Sequence, residues 1–178
     1  MLSSKMQEAL NKQINAEIYS AYLYWSMSAY FESINLPGHV TWMYAQAQEE
    51  FYHARRIYNF IAERTGRVRL AAIEEPAFEW KSPEAVFAAA LEHERLVTSL
   101  INDLVTLARE EKDYATDTFL QWFVNEQVEE ESTADKILQK QKLVSGDGAG
   151  LFVLDQELAV RPFVLMLTEQ ALAAGGAA

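Results

Sequence analysis

At 178 residues, half of them apolar, the chain has the size of one domain and enough apolar surface for a core. Cysteine is absent, which excludes disulfides, thiolate zinc sites, cysteine-ligated iron–sulfur clusters and a cysteine nucleophile; any metal must be held by oxygen and imidazole. Twenty-six acids against fifteen bases give a net charge of -11, the wrong sign for nucleic acid and the right one for cations.

No stretch reaches the roughly 18 consecutive apolar residues of a membrane span, and the start, MLSSKMQEALNKQ, lacks the apolar h-region of a signal peptide. A soluble, cytoplasmic chain without membrane partners is the expectation. Proline and glycine cluster at Pro37-Gly38, Gly66, Pro76 to Pro83, the SGDGAG run at 145 to 150 and Pro162, leaving long intervals free to be helix. These breaks predict helices at about 4–33, 38–65, 83–111 and 114–144, then a short one at 151–160. The connection from 66 to 82 is too long for a tight antiparallel turn, yet it can run the length of a roughly 30-residue, ~45 Å helix. Four long helices with one long crossover between the second and third, plus a short fifth, describe an all-α four-helix bundle. Residues 1–160 form the predicted domain and 161–178 a tail of unknown role.

Stepping by three and four marks one face of each helix. In the first helix that face is Leu10, Ile14, Glu17, Ala21, Tyr24, Ser28 and Phe31; in the second it is Met43, Ala47, Glu50, Ala54, Ile57 and Ile61. The third gives Phe87, Leu91, Glu94, Thr98, Ile101, Val105 and Ala108, and the fourth Leu120, Phe123, Gln127, Glu130, Ala134, Ile137 and Gln141. Each long helix therefore places an acid near the middle of its core face. Glu17 and Glu50 are 33 residues apart, as are Glu94 and Gln127, so the chain reads as two related hairpins. Aligning the halves sets Glu50-x-x-His53 over Gln127-x-x-Glu130, and Glu49 over Glu126.

An unpaired ionised carboxylate in an apolar interior costs several kcal/mol even after relaxation, so four at one level need neutralising. Lys12 and Arg55 lie off the core faces, and Arg95 points elsewhere around its helix. Two divalent cations would balance Glu17, Glu50, Glu94 and Glu130. Oxygen-rich ligation with the single imidazole of His53 suits iron or manganese. A lone glutamate on an apolar face is more often bent outward than a ligand; four at matched height, with His53 beside Glu50, favour a dinuclear site. Glu126, Glu129 and Glu130 then crowd one face of the fourth helix, with Glu49 across from them, which predicts a third, weaker cation site. Glu131 is read as part of a solvated face, and His39 and His93 as solvent or subunit contacts. Tyr24 is either a core aromatic or a phenol that relays an electron beside a redox metal. Asp113 and Asp117 could line a threefold pore, although acids favour helix N-termini in any case.

From Met1 to about Leu158 the chain resembles the non-haem bacterial ferritins. The resemblance rests on QINAEIYSAYLYWSMSAY, AQEEFYH, EHERLVTSLINDL, FLQWFVNEQVEEE and GLFVLDQEL taken together. It implies one iron site from Glu17, Glu50 and His53 and another from Glu50, Glu94 and Glu130, with Glu50 bridging. It also implies a Gln127 that hydrogen-bonds a bound oxygen species, a Tyr24 beside the centre, and a third iron site from Glu49, Glu126, Glu129 and Glu130. The short fifth helix would pack around the fourfold axes of a homo-oligomeric, hollow octahedral shell of two dozen subunits. Bacterioferritins and rubrerythrins carry a second Glu-x-x-His where this chain has Gln127-x-x-Glu130, and bacterioferritins bind haem through a methionine where it has Phe51. Haem is not expected.

The expected activity is ferroxidation: Fe(II) is oxidised by O2 or H2O2 and stored as Fe(III) mineral. The alternative is a di-iron oxidoreductase of peroxidase or oxygenase type without storage, which would have no use for the fifth helix.

Overall fold

The computed structural model describes residues 2–161, and among them all regular structure is helical: α1 (Ser4–Ser33), α2 (Pro37–Glu63), α3 (Pro83–Glu110), α4 (Tyr114–Leu143) and α5 (Gly148–Leu158). Local chemistry explains the boundaries. Ser3, Ser82 and Asp113 each turn a side-chain oxygen onto a backbone N–H of the first turn of α1, α3 and α4, satisfying one orphan donor apiece. Pro37 and Pro83 occupy first-turn positions where a missing N–H is harmless. Asn35, Thr65 and Lys112 adopt left-handed backbone (φ 56, 58 and 56°) just past the ends of α1, α2 and α3, where the chain must turn out of the helix.

The predicted bundle is present, with α1 packed on α2 and α3 on α4 as two hairpins. The segment between α2 and α3 is the expected crossover. It runs alongside α1: Asn11 donates to Arg67 O and accepts from Arg69 N, Asn15 donates to Ala72 O, and Ser26 to Ala77 O. That path returns the chain to the other end of the bundle.

The fifth helix starts three residues earlier than predicted. Asp147 caps it by accepting from Ala149 N at 3.0 Å, which overrides the helix-breaking tendency of Gly148 and Gly150. It crosses α2 at Gly38, where a Cβ would fall 1.7 Å from Asp155 O, so only glycine lets the two backbones meet. His39, expected at a solvent or subunit contact, is instead fully buried: its N–H and its Nδ1 lie 3.0 and 2.7 Å from Asp155 Oδ1, and its Nε2 2.6 Å from the Gln141 amide. Residue spacing missed this because the partners come from α4 and α5. Burial lowers the His39 pKa, while hydrogen bonds from the Gly38–His39 turn and the His39 ring hold Asp155 below the usual carboxylate range despite its own burial.

Two apolar clusters fill the bundle. One gathers Met27, Phe31, Met43, Phe87, Leu138 and Leu154; the other Leu10, Ile57, Ile61, Ile101, Leu120 and Phe123. Between them lies a polar layer. Residues 162–178, which include most of the predicted tail, lie outside the described residues, so the tail is not described beyond Arg161.

Candidate metal centre

Of the predicted core faces, those of α1 and α2 are buried throughout; on α3 and α4 only Thr98 and Glu130 retain partial exposure. Glu17, Glu50, His53 and Glu94 are 1, 1, 2 and 2 % exposed, which forces the question of how their charges are met. They converge. One donor atom each from Glu17, Glu50 and His53 lies within 4.8 Å of the others, and the same holds for Glu50, Glu94 and Glu130. Glu50 belongs to both groups. His53 Nδ1 stands 3.3 Å from Glu50 Oε2 and 3.8 Å from Glu17 Oε2, and its Nε2 stands 4.0 Å from Glu130 Oε1.

Amides satisfy part of the cluster. Gln13 donates to Glu17 Oε1 at 2.8 Å, and Gln46 donates to both Glu50 Oε1 and Glu130 Oε1 at 3.1 Å. Gln127 donates to Glu94 O and Glu94 Oε2 at 3.2 Å, and Tyr24 Oη donates to Glu94 Oε1. Glu17 Oε2 and Glu130 Oε2 remain buried without a hydrogen-bond partner. Such orphaned carboxylate oxygens are costly unless a proton or a cation reaches them.

Without a cation, protons supply the balance. Burial first, and the Glu50 charge second, push the Glu17 carboxyl up to about 8 against the pull of His53 and Gln13. Burial followed by neighbouring carboxylates raises Glu50 and Glu130 well above the ordinary range. Burial, then Glu94, also raises Tyr24, whose phenol keeps its proton. Two groups that share a carboxylate, with one imidazole and no thiolate, make a donor set that could hold hard or borderline divalent ions.

Beside the cluster, a cavity of about 70 Å³ is lined by Glu49, Glu126, Glu129 and Glu130, the residues predicted to hold a third cation, together with Tyr24, Trp42, Gln46 and Arg161. Glu49 and Glu126 are partly buried and Glu129 is exposed.

The fold and this geometry have counterparts. Residues 7–144 match the family described as Ferritin-like domain. The chain is 45% identical over 161 residues to the bacterial non-heme ferritin of Bacteroides fragilis, covering 90% of this chain and all of that one, and 40% identical over 156 residues to that of Campylobacter jejuni, covering 88% and 93%. A solved structure described as a novel open pore ferritin from the hyperthermophilic archaeon Archaeoglobus fulgidus superposes with a TM-score of 0.90 at 54% identity, over 91% of this chain and all of that one. The chain belongs to the ferritin family. Its general role is accordingly ferritin-type iron storage, and its fold is the family's four-helix bundle with a short fifth helix. Among the described residues no helix is long and apolar enough to cross a membrane.

Several residues of this ferritin's site escaped the sequence reading. Gln13 and Gln46 each sit four residues before a buried glutamate and share its 33-residue offset; Gln-to-Glu spacing of i, i+4 was the available signal. His93, expected at the surface, is half-buried, with Nε2 2.8 Å from Ser20 Oγ and its ring against Tyr19 and Tyr24. Glu131 keeps partial exposure but also accepts from Thr98 Oγ1 at 2.5 Å. Asp113 and Asp117 are met by arginines of the same chain: Arg64 spans both Asp113 oxygens at 3.1 Å, and Arg109 reaches Asp117 at 3.2 Å.

Proposed function

We propose that this ferritin oxidises Fe(II) with O2 at a dinuclear site and stores the product as Fe(III) mineral inside a hollow shell of two dozen copies, in the cytoplasm. The observation that carries the reading is the shared carboxylate. Glu50 belongs both to the group with Glu17 and His53 and to the group with Glu94 and Glu130, and each group leaves one buried oxygen without a partner.

Iron is the substrate. The net negative charge draws Fe(II) in, and binding two ions exchanges the protons on Glu17, Glu50 and Glu130 for cations. Each Fe(II) gives up one electron; O2 takes both, together with two protons, and leaves as hydrogen peroxide. Hydrolysis of Fe(III) then releases protons as the mineral forms. Carboxylates favour the higher charge of Fe(III), while a single imidazole leaves the product free to move on.

Around the irons, Gln46 and Gln13 orient the carboxylates. Gln127 fixes Glu94 and presents its amide where a bound oxygen species would sit. Tyr24, hydrogen-bonded to Glu94, is placed to relay an electron. Glu49, Glu126, Glu129 and Glu130 hold a third cation, and α5 packs about the fourfold axes of the shell.

Anaerobic loading with Fe(II) followed by air, with ferric absorbance and light scattering recorded together, tests this. Rapid oxidation with iron co-eluting as a soluble mineral-loaded particle is expected. Oxidation without such a particle would favour a di-iron oxidoreductase that does not store, and oxidation no faster than a Glu50→Ala control would remove the ferroxidase reading.

A further inference from the structure

Arg161 lies just past α5, at the start of the tail of unknown role, yet its side chain reaches back into the cavity beside the carboxylate cluster. Its Nη2 pairs with Glu49 Oε2, its Nη1 donates to Trp42 O at 3.4 Å, and its guanidinium stacks 4.4 Å above the Trp42 ring. The pair is largely withdrawn from water, at 19 and 22 % exposure. Among the described residues lining this cavity Arg161 is the one cation, facing Glu49, Glu94, Glu126, Glu129 and Glu130. Its reach is fixed: α5 is seated by Gly38 against Asp155 and by the His39–Asp155 contact, and Arg161 N donates to Leu158 O.

We propose that Arg161 is a tethered cation that occupies the third metal position, so that an ion binds there only by displacing the guanidinium from Glu49. The proposal rests on the reading that Glu49, Glu126, Glu129 and Glu130 hold a third cation. With Arg161 docked the cavity still leaves about 70 Å³ free, so the competition is for charge rather than for space: an ion that takes Glu49 as a ligand must break the ion pair that Arg161 makes with it. A tethered competitor lowers the apparent affinity by the fraction of time it is undocked, so one docked nine-tenths of the time weakens the site about tenfold. The factor is the same for every ion that must displace the guanidinium, so it sets how readily the position fills and leaves the relative affinities of different ions unchanged. The dinuclear site, whose ligands Arg161 does not touch, loads without this competition.

Calorimetric titration of Zn(II) into the assembled, iron-free protein reads the competition directly. Arg161→Gln, which keeps a polar side chain but removes the charge, and Arg161→Ala should both tighten the third equivalent about tenfold and leave the first two unchanged. Adding Glu129→Gln to either should abolish the gain. A third equivalent of unchanged or weaker affinity in both variants overturns the role of Arg161 and leaves the third site standing, as does a gain that survives Glu129→Gln. If neither wild type nor variants bind a third ion, the third-site reading itself fails and the proposal goes with it.

Discussion

The Gln46 amide donates to Glu130 across the bundle at 3.1 Å while also donating to Glu50, one turn along its own helix, at the same distance. One nitrogen thus ties together two carboxylates that would otherwise repel. Gln46→Leu removes that donor and leaves two more buried carboxylate oxygens without a partner. The iron-free variant should unfold about 1–3 kcal/mol more easily. Saturating Zn(II) should recover most of the difference, because cations satisfy the same oxygens. Denaturant melts with and without Zn(II) check this.

Glu50→Gln separates stability from function. A neutral amide at a fully buried position removes the need to protonate a carboxyl on folding without changing the shape, so the iron-free variant should be as stable as wild type or up to about 4 kcal/mol more stable. Fast Fe(II) oxidation should fall roughly 100-fold or more, since both ion positions lose a shared ligand. Thermal melts and stopped-flow absorbance on one preparation measure both effects.

The raised Glu17 carboxyl gives the iron-free protein an unusual pH dependence. Below its ordinary value of 4.5 the group is protonated whether the chain is folded or not; between 4.5 and about 8 only the folded protein keeps the proton. The contribution of Glu17 is therefore fully present below 4.5 and is lost as pH rises through about 8. Glu50 and Glu130, raised for the same reason, act in the same direction. Iron-free melting temperature should decline from mildly acidic to mildly alkaline pH, and Glu17→Gln should flatten part of that slope. Zn(II) binding at neutral pH should release protons, which calorimetry in buffers of different ionisation enthalpy detects.

The seat of α5 answers to acid in the opposite way. His39 has its pKa lowered from 6.5 and Asp155 from 3.8, so both favour the docked helix when deprotonated. The His39 contribution is present above 6.5 and fades as pH falls through its lowered value; that of Asp155 follows below 3.8. Amide exchange in α5 should accelerate on acidification before exchange in α1 to α4 does. Gly38→Ala should unseat the helix at any pH, because its Cβ would meet a backbone oxygen that cannot swing aside. The cost is about 3 kcal/mol.

How much of this was legible in the sequence depended on how far apart the interacting residues lie. The four long helices, the crossover and the convergence of Glu17, Glu50, His53, Glu94 and Glu130 followed from periodicity, because one core face per helix leaves an acid nowhere else to point. The start of α5 was placed late because a side-chain cap at Asp147 outweighed two glycines. His39 was misread because its burial depends on α5 and Gln141, more than 100 residues away. Arg161 was missed for the same reason: nothing within its own segment points to Glu49.

Anomalous diffraction at the iron edge, on crystals soaked anaerobically with Fe(II), tests the central claim most directly. Two peaks are predicted within each subunit, one among Glu17, Glu50 and His53 and one among Glu50, Glu94 and Glu130, with the Glu50 carboxylate between them. A single peak, or iron bound only at Glu49, Glu126 and Glu129 with none at His53, would contradict it.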